Sequence, residues 1–211
     1  MPLLVALHGS DGSGKTTVEK HITSVHKYLP YAMARPLKRL CGELFDLSAE
    51  QMEDQTLKAT VIPRLNCTPR YILQRIGTDL FRNHLGEVAP LLPYKSIWLD
   101  LGREWLVTHS DRDQVVSDAR FENEIDMIHE LGGLVIGIDR RERDVDDGSK
   151  EMGMVNGSWL SVVTEWLWPT VVHASEQLYF EKCDVVIRND GTIEELQRKI
   201  DYYLFERELE L

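Results

Sequence analysis

The chain has 211 residues, 43% apolar and 28% charged, with a net charge of −11, which suits one globular domain, 1–211, with a substantial core. The acidic balance excludes a nucleic-acid-coating protein. No apolar run is long enough for a bilayer, and three scattered cysteines (Cys41, Cys67, Cys183) make neither a zinc site nor a disulfide framework. The segment Met1-Pro2-Leu3-Leu4-Val5 has no basic flank before its apolar run, so the expectation is a cytoplasmic protein without a signal peptide.

In chain order, Leu3 to His8 is a short apolar run that reads as a buried strand, and helical character follows over Lys15 to Tyr28. An extended piece is predicted near Tyr31 to Ala34. Pro36 then suits the first turn of a helix to about Phe45. Ser48 caps a short helix, and Thr68-Pro69 starts another that runs to about His84. A further helix covers Ser96 to Thr108. Gln114 to Ser117 is a strand, Phe121 to Leu131 an amphipathic helix stopped by Gly132-Gly133, and Leu134 to Asp139 another strand. Arg140 to about Asn156 reads as a charged loop, and Ser158 to Trp168 as a helix ended by Pro169. Asp184 to Arg188 is the last strong strand, and Thr192 caps a final helix to about Glu208. Strands alternating with helices predict an α/β fold, a three-layer sandwich around a mostly parallel sheet. Ligands on such sheets bind at the carboxyl ends of the strands.

The first strand runs into Gly9-Ser10-Asp11-Gly12-Ser13-Gly14-Lys15-Thr16, a Gly-x-x-x-x-Gly-Lys-Thr phosphate loop. Its glycines let the backbone N–H groups from Asp11 through Gly14 curl around phosphate oxygens, and the next helix aims its positive end at them. Lys15 would reach the β- and γ-phosphates of ATP, Thr16 would ligate Mg2+, and Thr17 could touch the α-phosphate. The guanine and switch motifs of a GTPase, Asn-Lys-x-Asp and a later Asp-x-x-Gly, are absent. Length and arginine clusters favour a kinase for a small molecule, in which positioning and charge neutralisation do most of the catalysis.

The acceptor side is read from strand ends and one helix face. Asp118 and Arg120 follow the Gln114 strand, where Arg120 could clamp an acceptor phosphate with a two-pronged hydrogen bond. Four roles stay open for Asp118: holding the magnesium water shell, orienting Arg120, assisting the attacking oxygen, or capping the next helix. Arg70, Gln74 and Thr78 recur every four residues and share a polar stripe, opposite an apolar one of Ile72, Leu73, Ile76 and Leu80. Arg35 and Lys38 form another basic cluster, and Arg140, Arg141 and Arg143 could close over ATP as lid residues do.

Taken together, Ala34-Arg35-Pro36-Leu37-Lys38, Leu73-Gln74-Arg75-Ile76-Gly77-Thr78-Asp79-Leu80, Ser117-Asp118-Ala119-Arg120-Phe121-Glu122-Asn123-Glu124, His173-Ala174-Ser175-Glu176 and Asp184 to Thr192 resemble, with the phosphate loop and in the same order, the deoxynucleoside monophosphate kinases of tailed bacteriophages. The resemblance implies transfer of the ATP γ-phosphate to a deoxynucleoside monophosphate for DNA-precursor synthesis. It places Arg70, Gln74, Gly77 and Thr78, in a helical region of about 35–110, on the acceptor, together with Asp118 and Arg120 from the strand end. It puts Arg140, Arg141 and Arg143 in or near a lid of about 140–176, and Asn189 to Gly191 beside the adenine. Arg35 departs from the small or acidic residue expected before Pro36. The implied partners are small nucleotides, with no nucleic acid and no membrane; a homodimer is left open. The nearest alternative is a thymidylate-kinase-like enzyme, but no Asp-Arg followed by Tyr, Phe, His or Ser occurs. More distant ones are a dephospho-coenzyme A-like acceptor and a non-catalytic ATP-binding module.

Overall fold

The computed structural model describes residues 2–92, 96–140 and 177–210. Five strands, β1 (Leu4–His8), β2 (Leu29–Tyr31), β3 (Gln114–Val116), β4 (Leu134–Asp139) and β5 (Val185–Arg188), form one sheet in the order β2-β3-β1-β4-β5. Every pairing is parallel, as in Val5 opposite Val115 on one side and Leu134 on the other. β1 is therefore central, and the chain leaves it toward one edge of the sheet before returning to build the other. The loop after β1 opens at this switch point, where crevices form in open parallel sheets.

Side-chain alternation along the strands sorts the core into two layers. Val5, Leu7, Ile136, Ile138 and Ile187 face α1 (Lys15–His21) and the C-terminal helix, Ile193–Glu210, packing on Val18, Ile22, Leu196, Ile200 and Leu204. Ala6, Val116 and Val135 face the other way, onto Leu106 of the helix Ile97–Thr108 and Ile125, Met127 and Ile128 of the helix Glu122–Glu130. These two cores make the predicted α/β/α sandwich. A third cluster lies beside the sheet, where Leu37 and Cys41 of α2 (Arg35–Phe45), Met52 of α3 (Ala49–Glu53), Ile72 of α5 (Pro69–Gln74) and Trp98 pack together. The short helices α4 (Gln55–Ala59) and α6 (Leu85–Val88) complete this region. In chain order the helices Ile97–Thr108, Glu122–Glu130 and Ile193–Glu210 are α7, α8 and α9.

The caps fall where the sequence places them. The Ser48 hydroxyl accepts from Gln51 N–H and the Gln51 amide oxygen accepts from Ser48 N–H, a reciprocal capping box. The Thr68 hydroxyl accepts from Tyr71 N–H ahead of Pro69. Thr192 and Glu195 repeat the reciprocal pattern at α9.

Two expectations are corrected. The second strand ends at Tyr31 and does not extend to Ala34, because the N–H groups of Met33 and Ala34 donate to the Asp118 carboxylate and leave the sheet. Past Gln74 the helix widens into a π-helix, Arg75–His84. Its i→i+5 spacing carries the inward position from Ile76 to Phe81, which packs in the third cluster, while Leu80 is 40% exposed. The predicted helix Ser158 to Trp168, the His173 to Glu176 segment, Arg141, Arg143 and nearly all of the predicted lid lie outside the described residues.

Candidate functional site

Gly9 enters the loop after β1 with φ 149°, a conformation L side chains rarely adopt, and a Cβ there would overlap the Ile138 carbonyl oxygen of β4. Gly14, the N-cap of α1, has φ 112°. Behind it the Asn189 amide donates to the Ser13 carbonyl at 2.8 Å. A Cβ on Gly14 would lie 2.7 Å from that amide nitrogen. Lys15 is buried, and its ammonium donates to the carbonyls of Gly9 and Ser10, both at 2.7 Å. Burial first, then the Arg120 charge, lowers its pKa to about 8.

The loop lines a cleft of about 770 Å³ at the carboxyl ends of β1 and β3. Four lysines (Lys15, Lys20, Lys38, Lys58) and four arginines (Arg70, Arg82, Arg120, Arg140) line it, against six carboxylates. An acidic chain thus has a cationic pocket, the local condition for holding anions. Asp11 is its electrostatic centre. Its Oδ1 accepts from Arg120 Nη2 at 3.0 Å and its Oδ2 from Arg70 Nη1 at 2.9 Å. Burial alone would push this carboxyl up; the Arg120 and Arg70 guanidiniums outweigh it and hold the pKa at about 2. Arg70 also donates to Gln55 Oε1 at 2.9 Å.

Asp118 does not cap the helix that follows it. Its Oδ1 accepts from Met33 N–H at 2.6 Å and its Oδ2 from Ala34 N–H at 3.0 Å, so it holds the entry to α2 against the end of β3. The cap of α8 is Glu124, whose Oε2 accepts from Arg120 N–H at 2.8 Å and Phe121 N–H at 3.1 Å. Glu124 is buried, its other oxygen is paired with Arg82, and the Arg82 guanidinium lies 3.6 Å over the Phe121 ring. Burial raises the Glu124 pKa against the opposing pull of Arg82. This chain of contacts fixes the backbone from which Arg120 reaches Asp11.

Arg70, Gln74, Gly77, Thr78, Asp118, Arg120 and Lys38 all line the cleft with Asp11, Gly12, Gly14, Lys15, Thr16 and Thr17. The polar stripe on α5 and its π continuation therefore faces the phosphate loop. Ser13 is buried within the loop and its carbonyl accepts from Asn189; none of Ser13, Asn189 and Gly191 lines the cleft. Arg35 is exposed at the first turn of α2 and does not line the cleft; its charge acts on the Tyr31 hydroxyl. Arg140 reaches the cleft and donates to the Gly12 carbonyl at 3.4 Å.

Sequence reasoning missed Glu19, Lys58, Arg82 and His8. Glu19 sits one helical turn past Lys15, a position that could have been read from the loop, and its carboxyl is raised by burial and by Asp118. Glu19 and Asp118 line the cleft with Thr16, and their carboxylate and hydroxyl oxygens are the donor type that suits a hard divalent cation such as Mg2+. Lys58 has no local signal; α4 brings it in, and its pKa is lowered, first by burial. His8 is buried at the end of β1. Its Nδ1 lies 2.8 Å from the Ala119 carbonyl and its Nε2 2.9 Å from Tyr179 N–H, which assigns donor and acceptor and makes the ring neutral.

No protein-family model matches the chain. Among solved structures, shikimate kinase from Acinetobacter baumannii in complex with shikimate is 14% identical, with a TM-score of 0.48, covering 99% of this chain and 96% of that one. Dephospho-CoA kinase from Campylobacter jejuni is 13% identical, with a TM-score of 0.46, covering 98% and 97%. In sequence, a protein of Acanthamoeba polyphaga mimivirus named "Putative deoxynucleotide monophosphate kinase" is 41% identical over 151 residues, which span 69% of this chain and 78% of that protein. With a phosphate loop at the head of a central parallel strand and a cationic cleft beside it, the chain belongs to the deoxynucleotide monophosphate kinase family and is a phosphotransferase.

Proposed function

We propose that the enzyme transfers the γ-phosphoryl group of ATP to the 5′-phosphate of a deoxynucleoside monophosphate, giving the deoxynucleoside diphosphate and ADP, for DNA-precursor synthesis in the cytoplasm of an infected cell. The observation that carries this reading is the facing of two anion-binding walls across one cleft. The phosphate loop forms the donor wall; Arg70, Gln74 and Thr78 form the acceptor wall; Arg120 lies between them and meets Arg70 at Asp11. The phage-type motifs around Gln74 and Asp118 support the same acceptor class.

Backbone N–H groups of Asp11 to Gly14 and the start of α1 hold the ATP phosphates, with Lys15 released from the Gly9 and Ser10 carbonyls to reach the β,γ oxygens. Arg120 and Arg70 exchange the Asp11 carboxylate for the acceptor phosphate and bring one of its oxygens in line with Pγ. That oxygen attacks, the bond from Pγ to the β,γ-bridging oxygen breaks, and ADP leaves with the electron pair. Thr16, with Asp118 and Glu19 near it in the cleft, would hold Mg2+, which would supply charge neutralisation for the phosphates. Gly77 lets the acceptor helix pack closely on Leu37 of α2, and Lys38 adds positive charge to the cleft lining. Arg140 lies near the triphosphate end, while Asn189 to Gly191 flank the adenine from behind the loop. The chain then works as one domain, with the acceptor held by the region of about 35–110.

A coupled ATP-consumption assay over all deoxyribo- and ribonucleoside monophosphates tests the reading. Turnover with at least one deoxynucleotide is expected, and none with any monophosphate overturns it.

A further inference from the structure

On the flank of the molecule formed by α1 and α9, two histidines and one aspartate converge. His21 Nε2 lies 2.7 Å and His26 Nε2 2.8 Å from the same oxygen, Oδ1 of Asp201. Backbone geometry causes the convergence. His21 is the last residue of α1, and the chain then makes a π-helical turn, Ile22–His26, ended by Lys27 with φ 63°. In an α-helix, side chains five apart diverge by roughly 140°. In the π turn, whose repeat is i→i+5, they stand on one face. The two imidazoles meet at 5.9 Å between centroids and 77° between planes, and Tyr28 closes one side of His26 edge-on at 6.3 Å.

We propose that His21, His26 and Asp201 form a site for a divalent transition-metal ion of the zinc class, joining the far end of the phosphate-loop helix to the C-terminal helix. Among the described residues, these three side chains alone form a cluster of three or more possible ligand groups, with their ligand atoms within 4.8 Å of one another. Two imidazole nitrogens and one carboxylate oxygen are a donor set for Zn2+ or a neighbouring first-row ion, with water completing a tetrahedron. Metal bonds of about 2.0–2.2 Å set tetrahedral ligand atoms roughly 3.3 Å apart, so the present hydrogen-bonded contacts need only open by about half an ångström. The Asp201 side chain is 41% exposed and that of His26 25%, so an ion can enter from solvent. The clip would act on the loop through packing: α9 supplies Leu196, whose Cδ2 would lie 3.3 Å from a Cβ on Gly14. The site is separate from the cleft and does not depend on the kinase reading.

The test uses the full chain, stripped of metal and without nucleotide. Zn2+ is titrated calorimetrically and Co2+ by visible absorption, on the wild type and on His26→Asn and Asp201→Asn. One ion per chain is expected, with each substitution weakening binding ~10-fold or more, at least the loss seen when a supporting partner of a metal ligand is removed. Zn2+ should raise the thermal midpoint of the wild type and not of the variants. X-ray absorption on the Zn2+-loaded wild type should show two imidazole ligands, a readout that survives if a variant does not fold. Absence of saturable binding, equal binding by wild type and variants, or a sulfur-to-cobalt charge-transfer band assigning the ion to a thiol would each overturn the site.

Discussion

Asp11 carries two ion pairs in a phosphate loop that otherwise gathers positive charge. Its pKa of about 2, against an ordinary 3.8, sets a direction for stability. A depressed carboxylate stabilises the fold above its unfolded pKa, and that contribution disappears as pH falls from about 3.8 through about 2. The shift corresponds to about 2 kcal/mol before solvent screening. Asp11→Asn is therefore expected to be less stable than wild type by about 1–2 kcal/mol at neutral pH, with the gap narrowing as pH drops below 4; urea unfolding across a pH series measures it. For catalysis, Arg120→Ala and Lys15→Ala should each lower kcat/KM about a hundredfold or more while the circular dichroism spectrum is kept, since in the proposed reaction each removes a charge that stabilises the transferred group. Wild-type turnover by Arg120→Ala with every deoxynucleotide would remove it from the acceptor site.

The element that sets Arg120 in place is the start of α8. Glu124 there is fully enclosed and accepts three hydrogen bonds, two from the backbone and one from Arg82. Arg82→Ala leaves a buried carboxylate without its cation, a change that costs about 3–5 kcal/mol; the drop should show in urea midpoints. Arg82→Lys should recover only part of it, because a lysine lacks the planar fork that lies on Phe121. The β1-to-α1 turn is equally constrained. Gly9→Ala sets a methyl group against the Ile138 carbonyl and asks an L residue to hold φ 149°, so it should destabilise by about 2 kcal/mol or more and lower ATP affinity together with stability. Thermal unfolding with and without nucleotide separates the two effects.

On the scale of the molecule, the cleft lies between the sheet and the helices packed beside it, so a ligand bound there would couple to global unfolding. ATP at a hundred times its Kd should add about 2.7 kcal/mol, a rise in Tm of roughly 5–10 °C for a chain of this size. Lys15→Ala should lose that rise. The charge distribution points the same way: a chain of net charge −11 gathers eight Lys and Arg side chains in one cleft, a concentration suited to phosphates without a broad basic surface.

Among the described residues, the sequence by itself determined the order of the strands and of the longer helices, the phosphate loop and the stripe of Arg70, Gln74 and Thr78, because these rest on local periodicity, capping chemistry and fixed spacing; the short helices Gln55–Ala59 and Leu85–Val88 were not read from it. Thr68-Pro69, Ser48 and Thr192 work through bonds within a few residues, and so they could be read directly. The tertiary structure decided what depends on distant partners. Asp118 could be given four roles from sequence, and only the packing of α2 against β3 shows it bound to Met33 and Ala34, 85 and 84 residues away. Arg35 falls in a basic cluster of the sequence, and in the fold it is exposed and does not line the cleft. The widening of the α5 helix after Gln74, which trades Leu80 for Phe81 in the core, and the π turn that pairs His21 with His26 leave no mark in a 3.6-residue pattern, since both shift a face by a single residue. Asp11 was legible as part of a loop for ATP; its bridging of Arg70 and Arg120 required two segments, 59 and 109 residues away in the chain, to be folded onto the loop.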